Sequence, residues 1–297
     1  METSPETFKI TNLFGVSGIV AVVTGGGTDQ FLITYQGIGR VITQTLANNG
    51  ASKVFILGRR LEKLQETAAT SPHQNIIPIQ ADATSKDDLD KAVSLIADQV
   101  GYINLLVCNA GASGPHLFGI AENPSLTQVR DFVWENWTPE TFTQPNDLHV
   151  TSALFSTMAF LDLLDKGNSK GNLPGISSQV IVNASISSFI RSSPGLFAYA
   201  TSKAGANHLM KVLSTFLSPH KIRVNALNPG NFHTDMTDMA VGKLPTFTPE
   251  TIPAGRLGSA EDIAGVILFL CSRSGSYVNG LSLVVDGGLL TQAPSTY

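Results

Sequence analysis

The sequence predicts an α/β fold: one parallel sheet, doubly wound, with helices on both faces. Short runs rich in Val and Ile are apolar at nearly every position, so both faces of the strands they form are covered. Between them lie longer stretches with apolar residues three and four apart, the repeat of an amphipathic helix. No Pro-, Gly- or Ser-rich linker divides the 297 residues, so 1–297 reads as a single domain.

The elements follow in order. Residues 18–24 (GIVAVVT) read as a buried strand and 38–49 as a helix that Gly50 ends. A strand at 53–57 (KVFIL), a helix at 60–69 and a strand at 76–80 (IIPIQ) come next. A helix at 87–100 leads to a strand at 104–108 (NLLVC). Later come a strand at 179–183 (QVIVN), a helix at 199–217 and a strand at 223–227 (RVNAL). A helix at 261–270 and a strand at 282–285 (SLVV) complete the series. Ligands of such sheets bind at the carboxyl ends of the strands. Three stretches break the rhythm: 29–36, 113–145 with its Pro and Trp, and 231–253.

Composition narrows the function classes. The net charge of −4 leaves no basic footprint for nucleic acid, and long like-charge runs are absent. No apolar run approaches the length of a membrane span, and METSPETFKI lacks the layout of a signal peptide. Cys108 and Cys271 lie in apolar segments, as expected of buried thiols in a reducing compartment. A cytoplasmic protein without a metal site is expected.

Thr24-Gly-Gly-Gly-Thr28 at a strand end and Gly37-Ile38-Gly39-Arg40 at a helix start are the halves of a phosphate-binding turn. The octapeptide Asp29–Gln36 (DQFLITYQ) separates them, and Gly25 and Gly37 are too far apart in sequence for one tight turn. Downstream, Tyr199 and Lys203 are four residues apart on a predicted helix and so share a face. An ammonium near a phenol favours the phenolate and makes Tyr a usable general acid or base. Ser185, fourteen residues upstream of Tyr199, follows the strand QVIVN, where its hydroxyl either polarises a carbonyl or merely caps the turn.

With these markers the chain resembles the short-chain dehydrogenase/reductases along essentially its whole length. The markers are TGGG…GIG (24–39), ADAT (81–84), CNAG (108–111), Ser185, Tyr199 with Lys203, NPG (228–230) and VDGG (285–288). Within that family it looks most like the ketoreductases acting on 3-oxoacyl or related ketones. The resemblance implies a Rossmann-type fold and reduction of a carbonyl by hydride transfer from a nicotinamide. Tyr199 would be the proton donor, Lys203 its support and a ribose ligand, and Ser185 the carbonyl's partner. Thr24, Gly25, Gly37, Ile38 and Gly39 would hold the pyrophosphate. Asp82 and Ala83 would meet the adenine, and Asn109, Ala110 and Gly111 the adenosine ribose. Pro229, Gly230 and Thr234 would take the carboxamide end.

Two departures stand out. His149 occupies the place of an Asn that holds a relay water in the family. It keeps the backbone carbonyl and adds a titratable ring, or it simply packs a helix. The octapeptide 29–36 either bulges away from the pyrophosphate, occludes its site and impairs the enzyme, or reflects a faulty gene model. No acidic residue stands near Gly58 to hold a ribose 2′-hydroxyl, whereas Arg59, and secondarily Arg60, can pair with a 2′-phosphate. NADP(H) is therefore the expected cofactor.

Residues 231–253 fall where the family puts its substrate lid, with Phe232, Met236, Met239, Leu244 and Phe247 as an apolar cover. Trp134 and Trp137 either wall the other side or pack the core. The expected partners are a small carbonyl or alcohol substrate and further copies of the chain, as a homodimer or homotetramer. Alcohol oxidation at the same site and a catalytically silent scaffold are the alternative functions.

Overall fold

The computed structural model describes residues 5–27, 37–120, 123–191, 195–232 and 250–296. Short α1 (Ile10–Phe14) leads to β1 (Val20–Thr24), α2 (Ile38–Asn48), β2 (Lys53–Gly58), α3 (Leu61–Ala68), β3 (Ile76–Gln80), α4 (Lys86–Gln99) and β4 (Leu105–Cys108). Then come α5 (Leu126–Asn136), α6 (Pro139–Asn146), a π-turn (Asp147–Thr151), α7 (Ser152–Lys170), β5 (Gln179–Asn183) and α8 (Phe197–Phe216). The series ends with β6 (Arg223–Pro229), α9 (Ala260–Cys271) and β7 (Ser282–Val285).

Seven strands form one parallel sheet in the order β3-β2-β1-β4-β5-β6-β7. The order reverses between β1 and β4, which opens a crevice at their carboxyl ends. β1 and β4 are buried throughout because helices cover both faces. Phe55, Leu106 and Phe160 fill one core layer, and Ile42, Leu46 and Ile56 the other, all with no exposure. Burying each such side chain stabilises the fold by about 1.5–3 kcal/mol.

All twelve expected elements are present, with ends shifted by two residues at most. The helices between β4 and β5, which the sequence did not announce, run without a break from α6 through the π-turn into α7. No described helix is long and apolar enough to cross a membrane. Cys108 and Cys271 are both buried and unbridged, and desolvation pushes each thiol up to about 12.

Candidate active site

Strand registers align the ends of the central strands. Thr24 lies opposite Leu57, Cys108 opposite Val182 and Asn183 opposite Leu227. A chain of amides ties this edge together. Asn109 donates through Nδ2 to the carbonyls of Thr24 and Gly25, at 3.1 Å each, and its Oδ1 accepts from Asn183 Nδ2 at 2.7 Å. Buried Thr24 spends its hydroxyl below the turn, accepting from the N–H groups of Asn109 (3.0 Å) and Ala110 (3.2 Å). Thr24 and Asn109 therefore brace the cofactor crevice with their side chains.

Above this frame the two halves of the Gly-rich turn meet. Gly25 has φ +67°, a left-handed conformation that favours glycine. A Cβ on Gly39 would lie 2.3 Å from the Gly25 oxygen and 2.4 Å from Asn109 Nδ2. Only glycine at position 39 lets α2 approach β1 this closely. The N-cap of α2, Gly37, carries no side-chain cap, so its first amides present the donors and the positive dipole end that suit a pyrophosphate. A sequence separation that looked too long is thus no obstacle, since Gly25 and Gly39 touch. The octapeptide 29–36 lies outside the described residues.

On α8, Tyr199, Lys203 and Asn207 follow at four-residue spacing on one face. Lys203 is buried and donates through Nζ to the Asn183 carbonyl at 2.8 Å, with Nζ 5.6 Å from the centre of the Tyr199 ring. Ser185 begins the short turn Ile186–Ser188, and its Oγ accepts the N–H of Ser187 at 3.1 Å. That acceptance leaves the Ser185 O–H to donate elsewhere. Asn207 steadies the turn, donating to Ser188 Oγ (2.7 Å) and Asn228 Oδ1 (2.6 Å). Ser188 Oγ in turn donates to the Ser185 carbonyl. Residues 189–191 are gripped from outside: Arg191 N–H donates to Pro294 (2.9 Å) and Thr296 N–H to Phe189 (2.8 Å).

His149 sits within the π-turn, where the regular ladder is interrupted. Its buried ring stands at 88° to the Tyr199 ring, with centroids 5.5 Å apart. Burial drives its pKa from 6.5 down to about 2, and the Lys203 ammonium adds to the effect. The expectation of a titratable ring is thereby corrected: the imidazole is neutral at working pH.

The outer residues divide. Arg59 is exposed and makes no ion pair with a described residue, while Arg60 opens α3. Asp82 behaves first as a turn carboxylate, its Oδ1 accepting from Thr84 N–H (2.9 Å) and Oγ1 (2.7 Å). Its Oδ2 takes no hydrogen bond from a described residue. Ala83 is buried beside it, and Gly111 lies against His149. Pro229 ends β6, and Gly230 N–H donates to Val285 at 2.8 Å.

Two expectations fail. Trp134 is 86% exposed and walls nothing, whereas Trp137 packs edge-on against Phe197 at 6.1 Å, at the start of α8. Phe232 is no lid side chain: it is buried in the core and bridged to Gly258. Thr234, Met236, Met239, Leu244 and Phe247 lie outside the described residues. Sequence reasoning missed Asn183, Ser202 and Asn207, and noted Asn228 only within NPG, because their importance appears through contacts between separate elements.

A family model described as enoyl-(acyl carrier protein) reductase matches residues 33–290. The short-chain dehydrogenase/reductase PhomF of Diaporthe leptostromiformis is 44% identical over 292 residues, covering 96% of each chain. The chain belongs to the short-chain dehydrogenase/reductase family. The structure of the Pseudomonas aeruginosa RhlG/NADP active-site complex is similar, with TM-score 0.78 and 27% identity over 94% of this chain and 98% of that one. So is 3-ketoacyl-(acyl-carrier-protein) reductase of Brucella melitensis complexed with NADH, with TM-score 0.75 and 26% identity over 93% and 99%. The protein is a nicotinamide-dependent oxidoreductase acting on CH–OH groups. Neighbours in the family hold either nicotinamide cofactor.

Proposed function

We propose that the protein is an NADPH-dependent reductase that converts a ketone, of 3-oxoacyl or secondary-metabolite type, to a secondary alcohol. The observation that carries the reading is the Tyr199–Lys203 face of α8, held by Asn183 beside Ser185. When bound, the nicotinamide supplies the hydride. Ser185 turns its O–H toward the substrate carbonyl and polarises it. Tyr199 gives the carbonyl oxygen a proton, and the Lys203 ammonium stabilises the charge left on the phenolic oxygen. His149 serves through its backbone carbonyl in the π-turn, its ring staying neutral.

The contact between Gly25 and Gly39 brings the two halves of the phosphate cradle together. Pyrophosphate would rest on Gly25, Gly37, Ile38 and Gly39. Asp82 Oδ2 would face the adenine, Gly111 would line the adenosine ribose, and Pro229 and Gly230 would flank the nicotinamide half. The exposed guanidinium of Arg59, which makes no ion pair with a described residue, supports recognition of a 2′-phosphate. The half-buried edge strand β7 and the exposed Phe155, Val212 and Phe216 of α7 and α8 favour a homodimer or homotetramer. A cytoplasmic setting fits the two unbridged thiols.

The test is consumption of NADPH with a panel of ketones by the wild-type chain and by Tyr199→Phe. The variant is expected to lose about 10²–10⁴-fold in kcat, the range of general acid catalysis. Carbonyl reduction that survives in Tyr199→Phe would overturn the reading.

A further inference from the structure

The ring of His149 is held by a hydrogen-bond chain with one consistent direction. The Ala112 N–H can only donate, and it points at His149 Nε2, 3.2 Å away. Nε2 therefore carries a lone pair. A neutral imidazole with Nε2 unprotonated has its proton on Nδ1. Nδ1 lies 2.8 Å from Ser202 Oγ, so it donates there. Having accepted that hydrogen bond, Ser202 donates its own O–H to the Tyr199 carbonyl, 2.9 Å away. The other tautomer sets N–H against N–H at Ala112 and takes Ser202 away from Tyr199. Ser202 is itself buried, so water does not replace it.

The ring held in this way reaches both members of the Tyr–Lys pair. It stands edge-to-face with Tyr199. Its Nε2 and the Lys203 Nζ converge above Gly111, 2.7 and 3.8 Å from where a Cβ of that residue would lie. A lone pair on Nε2 turns the negative end of the imidazole toward this side, where it favours the ammonium. A proton on Nε2 would oppose it.

Resting on the reading of Tyr199 and Lys203 given above, we propose that Ser202 is a positioning residue. It stabilises the Nδ1–H tautomer of His149 that the Ala112 N–H selects, by accepting that N–H, and through the ring so held it sets the placement of Tyr199 and Lys203. Ser202 makes a buried His workable at position 149, because the imidazole needs an acceptor on its far side.

The experiment compares Ser202→Ala, His149→Asn and the double variant in NADPH-dependent ketone reduction. Nitrogen NMR of the His149 ring is recorded alongside, in the wild type and in Ser202→Ala. Leaving the Nδ1–H without a partner is expected to lower kcat about tenfold, with KM for NADPH nearly unchanged. In the His149→Asn background the further loss on Ser202→Ala is expected to be under about twofold, since the effect passes through the ring. The wild-type ring is expected to show the Nδ1–H tautomer alone, and Ser202→Ala a mixture. Equal losses in both backgrounds, or an Nε2–H ring in the wild type, overturns the proposal. If Ser202→Ala fails to fold, the wild-type ring spectrum decides. If the wild type binds NADPH but reduces no carbonyl, the functional reading fails, and the ring spectra still decide whether Ser202 holds the ring in the Nδ1–H tautomer.

Discussion

Acidification should destabilise this protein through His149 in a way that can be isolated. The native ring resists protonation down to about 2, whereas the same side chain titrates near 6.5 when exposed. Between those values the unfolded chain binds a proton that the native state refuses. The free energy of unfolding therefore rises with pH across this window and is flat with respect to this group above it. Each unit below 6.5 costs about 1.36 kcal/mol, so moving to about pH 5 removes about 2 kcal/mol. The ring is buried, so solvent screening does little to reduce this. Urea unfolding from about pH 5 to pH 7.5 measures it in the wild type and in His149→Asn. The variant has no imidazole there and should show a shallower dependence, by about one proton at the acid end. Identical slopes would show that the ring takes up its proton in the folded state, and the reasoning from burial would fail.

Other outcomes follow from the same geometry. Gly39→Ala forces a Cβ against the Gly25 oxygen and Asn109. It should cost about 1–3 kcal/mol in thermal unfolding and weaken NADPH binding in a titration; unchanged binding would remove the phosphate cradle from this turn. Arg59→Glu should weaken NADPH by about 10–100-fold and leave NADH within a few-fold; equal losses for both cofactors would refute a 2′-phosphate role. Excision of residues 29–36 should leave NADPH affinity within about threefold, because Gly25 and Gly39, on either side of that segment in sequence, already meet. A tenfold gain would mean that the octapeptide hinders the cofactor.

The sheet was legible because its central strands are buried on both faces and its half-buried edge strands, 76–80 and 282–285, are still largely apolar runs. Strands 76–80, 179–183 and 282–285 fall where the sequence put them. α7 was not legible, although it spans 19 residues. Pro145 lies inside the helix that leads into it, the π-turn shifts its phase, and Thr151 gives no side-chain cap. The usual signs of a helix start are therefore missing. At the site, Tyr199 and Lys203 were legible because a local helical spacing brings them together. Asn183 and Ser202 were not, since their work depends on partners 74 and 53 residues away. The Trp134 expectation failed because residue type alone cannot tell a pocket wall from an outward-facing helix position.

The amide frame at the strand ends also governs how the site comes into being. Asn109 joins Thr24, 85 residues earlier, to Asn183, 74 residues later, and Asn183 in turn holds Lys203. Neither half of the sheet contains this frame by itself. Contacts so distant in sequence form late in folding, after the loops between them have closed. A chain with only β1 to β3 assembled has a glycine turn but no anchored lysine. Cofactor therefore draws chiefly on the fully docked sheet, and at a hundred times its dissociation constant it adds about 2.7 kcal/mol to global stability. The nicotinamide cofactor would act as a late check on folding as well as a reagent.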